Sequence, residues 1–260
     1  MALRGTTKQL VHSIDMLSKV QWNINRPLKR FVNDPVGLRS LMARHEALIS
    51  GSFALQFFAR IENGTKALAQ HLIKNEGYTV ASRKIMMGSD LYAHHTDFIE
   101  RVTTLTQGND ESDEIKIQLI ATKSPPIEMI LTTFYTTAVV NIVSWDCAYS
   151  IFPDVTFVKK KTYQLQPLSH YYSSLLKKYH RRGWTCLQVP RDDDRKWTSS
   201  LQTYGSRRVG DPKCWKMELD TADVESGPPS SILELPFLIS KHSHYDSKSF
   251  EIELVRKFQR

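Results

Sequence analysis

The sequence predicts an α+β fold: a small mixed sheet flanked by helices, with a C-terminal extension. Three observations point to the class. Short candidate strands and helices succeed one another without the regular strand–helix alternation that builds a parallel α/β sheet. Residues 47–58 read as a strand–turn–helix corner, with Ala47–Ile49 apolar, Ser50-Gly51-Ser52 small, and apolar residues at 53, 54, 57 and 58. Residues 98–106 and 114–122 read as a hairpin, because Ile115, Ile117 and Leu119 alternate with Lys116 and Gln118 across a polar, acidic turn.

Taken in order, residues 6–20 carry a partial helical stripe and Trp22–Pro27 reads as a linker. Pro27–Val32 and Asp34–His45 read as helices. Asp34-Pro35 supplies an N-cap acceptor followed by a proline suited to the first helical position. After the 47–58 corner, Thr65–Lys74 is a periodic helix ended by Gly77, and Tyr78–Ala81 a short strand. Beyond the hairpin, Ser124-Pro125-Pro126 opens a helix from Ile127 to about Thr133, and Ala138–Ser144 is apolar and β-branched, as buried chain is. Trp145–Pro153 reads as a short helix or turn, Val155–Tyr163 as an interrupted strand, and Tyr171–Arg182 as a helix capped by Gly183. Trp184–Val189 and Cys214–Leu219 read as strands, Asp220–Ser231 as a linker, and residues 250–257 as a final strand or helix.

Hydrophobic residues at 41% and charged residues at 24% are ordinary for a globular chain, and 260 residues suffice for a sizeable core. No window reaches the roughly 18 apolar residues of a membrane span. No apolar signal region opens the chain, and three widely spaced cysteines (Cys147, Cys186, Cys214) make neither a disulfide framework nor a zinc motif. An intracellular location, cytoplasmic or nuclear, is therefore expected, with no membrane partner. The charge of +8 is compatible with nucleotide, nucleic-acid or acidic-protein partners and demands none of them.

Chemistry is sparse. The Gly51-Ser52 turn leaves free backbone N–H groups at a helix start, where a phosphate or other anion can sit; the simpler role is relief of backbone strain. Lys159, Lys160 and Lys161, with Lys177, Lys178, Arg181 and Arg182, interleave with Tyr163, Tyr171, Tyr172, Tyr179 and Trp184. Basic and aromatic residues together bind single strands, unless the tyrosines turn inward. Asp192–Asp194 and His94-His95 with Asp97 lack ligand spacing, and His242 and His244 with Asp246 alternate more like ligands but sit in a polar stretch near the C-terminus, so no metal site is expected. Cys147 reads as a buried structural thiol.

From about residue 31 to residue 187 the chain resembles a group of fungal proteins related to the nucleotidyltransferase-like (polymerase-β-type) fold. The resemblance rests on Leu48–Ser52 with Ala54–Phe58, Asn75–Tyr78, Ile115–Ile120, Ser124–Leu131, Asn141–Ser144, Ala148-Tyr149 with Pro153, and Tyr179 with Arg182–Trp184. It implies that Gly51 and Ser52 hold a nucleotide's phosphates. It also implies two Mg²⁺ ions on an Asp-x-Asp pair and a third carboxylate, because a hard cation takes oxygen ligands and paired metals stabilise both oxygens of an in-line displacement. This sequence departs there. Arg60–Thr65 stands where the acidic pair belongs, leaving only Glu62, and neutral Gln118 lies on the strand of the third acid.

The expected domains are residues 1–30 as an N-terminal helical extension, 31–190 as the nucleotidyltransferase-like domain, and 191–260 as a C-terminal extension with polar linker segments. The expected function is a catalytically inactive relative acting as a binding or interaction module, without a cofactor. One alternative is an active Mg²⁺-dependent nucleotidyltransferase with displaced acids, drawn from Glu62, Asp113, Glu114 and Glu128. The other is a sequence-tolerant nucleic-acid binder using residues 159–184.

Overall fold

Leu28 of helix α1 (Asn25–Leu28), with Ile24 just before it and Val32 after it, begins the buried chain in the computed structural model. It describes residues 23–51, 54, 65–85, 98–108, 115–166, 170–187, 205–227, 235–241 and 250–255. The helix expected over 6–20 lies outside these residues. Helix α2 (Pro35–Arg44) starts as its sequence dictates, with the Asp34 carboxylate accepting from Gly37 N–H at 2.9 Å. Strand β1 (Ile49–Ser50) follows and ends at Gly51. Helix α3 (Thr65–Asn75) leads through Gly77, at φ 73°, into β2 (Thr79–Ile85). Between them the buried Glu76 carboxylate accepts from Asn33 N–H at 2.6 Å and Asp34 N–H at 3.1 Å, and Tyr78 Oη donates to the Phe31 carbonyl at 2.7 Å.

Strands β3 (Ile99–Gln107) and β4 (Ile115–Thr122) form the expected antiparallel hairpin, and β2 joins the free side of β3. Helix α4 (Pro126–Thr133) and a 3₁₀ turn (Thr137–Val139) lead into β5 (Asn141–Val143). Residues 145–153, expected as a helix or turn, instead contain strand β6 (Cys147–Ser150), buried on both faces. The strand expected over 155–163 is a π-helical turn (Asp154–Val158) followed by β7 (Lys161–Tyr163). Helix α5 (His170–Arg181) and Gly183, at φ 91°, return the chain to β8 (Thr185–Leu187), which runs parallel to β7. Strands β9 (Gly205–Arg208), β10 (Trp215–Glu218), β11 (Pro236–Lys241) and β12 (Phe250–Leu254) complete the order.

In place of one mixed sheet, the described residues form three antiparallel sheets and a parallel pair. Their orders are β1-β5-β6-β10, β2-β3-β4 and β9-β11-β12. The first is central because its inner strands β5 and β6 are buried on both faces. Ile142 and Tyr149 join the core built with Ile127 and Ile130 of α4, while Ile49, Val143 and Ala148 join the core built with Leu38, Met42 and Leu72 of α2 and α3. Each such aliphatic side chain contributes about 1.5–3 kcal/mol on burial.

The C-terminal third is woven into these cores. β10 is the outer strand of the central sheet, and Val209, Phe237, Ile239 and Ile252 share the α4 core. Arg207, 3% exposed, grips Asp211 through Nε and Nη2 at 2.9 and 2.8 Å, and its Nη1 donates to the Ile151 carbonyl at 3.1 Å. The chain then crosses α2, where Glu225 N–H donates to Ser40 Oγ at 3.0 Å and Gly227 lies against the Ala43 backbone. Among the described residues, no helix is long and apolar enough to cross a membrane.

Candidate functional site

Gly51 has φ 84°, a left-handed conformation that a side chain resists, so glycine lets the chain turn sharply off the end of β1. Ser50 locks the strand behind it by donating its Oγ–H to the Asn141 carbonyl. Because Ser50 pairs with Ile142, Gly51 leaves the sheet beside Asn141. Asn141 stands opposite Ser150 on β6, and Ser150 opposite Trp215 on β10. Residues directly opposite in a ladder share a face, so Asn141, Ser150 and Trp215 form a row at one end of the sheet.

A cavity of about 130 Å³ opens on this row, lined also by Ala54, Val143 and Phe157. Phe157 comes from the π-helical turn and stacks on Trp215, with ring centroids 5.4 Å apart and planes 12° from parallel. Trp215 remains 52% exposed. Asn141 donates Nδ2–H to the Ala138 carbonyl at 2.7 Å, which fixes the amide, since a carbonyl can only accept. Its Oδ1 is then buried without a hydrogen-bond partner, and so is Ser150 Oγ. Orphaned buried oxygens are uncommon in native structures and invite a partner.

The described lining carries no charged side chain. Burial, and next a hydrogen bond with Cys147, push the Tyr149 phenol up, while burial pushes the Cys147 thiol up, so both stay protonated at neutral pH. Cys147 is thus the buried, inert thiol expected of it.

Of the sequence-predicted residues, Gly51 is at this site. Ser52, Glu62, Asp113 and Glu114 lie outside the described residues. Glu128 sits in the first turn of α4 and does not line the cavity. Gln118 is on β4, which belongs to a different sheet from β1. Among the described residues no three His, Cys, Asp or Glu converge, and the described lining lacks the oxygen-rich donor set that Mg²⁺ takes. No step through a metal is therefore derived from these residues.

The basic residues gather where α5 ends beside the β7–β8 pair. Lys177, Lys178, Arg181 and Arg182 are exposed, and burial, then the charge of Arg182, lower the Lys178 pKa. Lys160 lies over the Trp184 ring at 4.8 Å, Lys159 pairs with Asp154 at 2.7 Å, and Lys161 opens β7. Tyr163 and Tyr179 are each 2% exposed and pack inward, the simpler of the two roles the sequence left them.

Asn141, Ser150, Phe157 and Trp215 were not anticipated as site residues. The one signal was a lone asparagine in the apolar run Ala138–Ser144, since a buried amide needs partners. No family model, curated protein or solved structure matches the chain.

Proposed function

We propose that this protein is a nucleotidyltransferase-like binding module without transfer chemistry, which holds a nucleotide at the Gly51 end of the central sheet. One observation carries the reading: the glycine turn ends beside a cavity lined by Tyr149, Phe157 and Trp215 together with Asn141 and Ser150. An aromatic wall with a few convergent polar atoms is what a small-molecule site requires. The absence of an acidic pair after the Gly51-Ser52 turn supports binding over catalysis. Isothermal titration with ATP, GTP, CTP and UTP, with and without Mg²⁺, tests it. Metal-independent binding with no nucleotide turnover is expected. Turnover that strictly needs Mg²⁺ or Mn²⁺ would restore the active nucleotidyltransferase with displaced acids, and no binding at all would end the reading.

A second reading rests on the exposed cluster Lys160, Lys177, Lys178, Arg181 and Arg182 beside Trp184: sequence-tolerant nucleic-acid binding. With Tyr163 and Tyr179 buried, such binding is mainly electrostatic, so it weakens steeply with salt. Replacing Lys177, Lys178, Arg181 and Arg182 by Gln lowers the slope of log affinity against log salt; an unchanged slope removes this reading.

A further inference from the structure

We infer that two copies of this chain pair through the outer edge of β10, in a register centred on Met217, and so join their four-stranded central sheets edge to edge. The inference concerns a surface rather than the cavity and does not depend on nucleotide binding.

The backbone shows which groups that edge offers. β10 borders the central sheet, and among the described residues no strand lies on its other side. Trp215 pairs with Ser150 and Met217 with Ala148, and Leu219 continues the ladder by donating its N–H to the Asp146 carbonyl at 2.8 Å. Along an antiparallel strand the residues alternate, each turning both of its backbone groups towards one neighbour or the other. Trp215, Met217 and Leu219 therefore bond towards β6, while Lys216 and Glu218 turn their N–H and C=O groups outwards. Trp215, Lys216 and Glu218 are exposed.

The side chains select the occupant. Outward N–H and C=O groups are a template for another strand, and a lone edge lysine is a device against such pairing. β10 instead carries a lysine and a glutamate two residues apart on one face, where Lys216 Nζ lies 3.3 Å from Glu218 Oε1. A twofold axis through Met217 sets each Lys216 directly opposite Glu218 of the second copy. These are also the residues with outward backbone groups, so the ladder hydrogen bonds and the ion pairs form in the same register. Shifting that register by two residues sets Lys216 on Lys216 or Glu218 on Glu218, and like charges directly opposite repel. On the other face Met217 meets its own copy at the axis. Trp215, 52% exposed even with Phe157 stacked on it, reaches the second copy's Met217 along the diagonal. Such a contact uses the same patch on both copies and closes at two. β10 is four residues long, so the contact is small and the dimer weak and concentration-dependent.

Sedimentation velocity over about 1 µM to 1 mM, the span of weak association, tests the inference. The wild type is expected to pass from monomer to dimer as concentration rises. Lys216→Glu gives an all-acidic edge and Glu218→Lys an all-basic one, and each alone is expected to dimerise about tenfold more weakly or worse. Both positions are exposed, so the variants keep the fold. Mixed in equal amounts, the two variants oppose unlike charges at both positions and are expected to recover wild-type affinity as a heterodimer. Both substitutions in one chain should likewise restore the homodimer. A wild type that stays monomeric throughout overturns the inference and leaves the edge to a strand from a different protein. A dimer that either single reversal leaves unchanged, or variants that fail to recover on mixing, overturns it by placing the interface elsewhere.

Discussion

Asp211→Asn is the sharpest test of how the C-terminal third is fastened. Arg207 is 3% exposed, and the Asp211 carboxylate, whose side chain is 18% exposed, holds it with two hydrogen bonds. Burial alone would raise the Asp211 pKa, but the hydrogen bond and charge of Arg207 prevail and bring it down to about 2 from an ordinary 3.8. A shift of nearly two units, at about 1.4 kcal/mol each, makes the ionised carboxylate worth on the order of 2.5 kcal/mol at neutral pH. Breaking a buried ion pair from one side typically costs about 3–5 kcal/mol, and the partial exposure of Asp211 places this pair at the low end. Both routes lead to about 3 kcal/mol, or a fall in Tm of about 6–12 °C for a chain of this size. Because the folded pKa is depressed, this stability is complete above the unfolded carboxylate value near 4 and is lost as pH falls through about 2. Urea denaturation followed by tryptophan fluorescence, from pH 7 to pH 2, should therefore show the two proteins far apart at neutral pH and converging in acid. A neutral-pH difference under about 1 kcal/mol, or curves that stay parallel into acid, would refute the reasoning.

Gly227→Ala places a Cβ at 2.2 Å from the Ala43 carbonyl oxygen, so the segment crossing α2 must move; a loss of about 1–3 kcal/mol by urea denaturation is expected. Gly51→Ala meets a left-handed backbone and should cost about 1–2 kcal/mol, with a matching loss of nucleotide affinity by titration if the turn shapes the site. Tyr78→Phe removes the bond to the Phe31 carbonyl and should cost about 1 kcal/mol at pH 7. Burial, then the Glu76 charge, push the Tyr78 phenol up to about 12. The wild type therefore loses stability between the ordinary tyrosine value near 10 and about 12, and the variant's urea midpoint should close on it across that range.

What could be read in advance was what announces itself locally. Asp34-Pro35, Gly77 and Gly183 mark helix ends by their own chemistry, and the Ile115, Ile117, Leu119 alternation marks β4, although Leu119–Thr122 are buried on both faces. β6 escaped because Cys147–Ser150 is buried on both faces, leaving no period to detect. Residues 154–158 look β-branched and strand-like, yet they wind into a π-turn that buries Val155 and Thr156 and leaves Val158 exposed. β9 hides inside a Gly-Ser-Arg-Arg run because only its distant partners reveal that Arg207 is buried. At the site, Gly51 was legible from the small residues around it. Asn141 and Ser150 were not, because what marks them is a missing hydrogen-bond partner, and that emerges only when β5 and β6 lie side by side.

The order of the central sheet constrains the order of assembly. β1 is made early, but its neighbour β5 lies 91 positions away by the Ser50–Asn141 bond, and the outer strand β10 later still. Loop-closure entropy must be met before such distant pairings return any contact energy, so this sheet belongs with slow, high-contact-order topologies. During synthesis the apolar faces of β5 and β6 emerge well before Trp215 exists to border them. Until then the growing chain presents an open strand edge, which makes the interval between residues 150 and 215 the period in which the nascent protein is most exposed to aggregation and most in need of a chaperone.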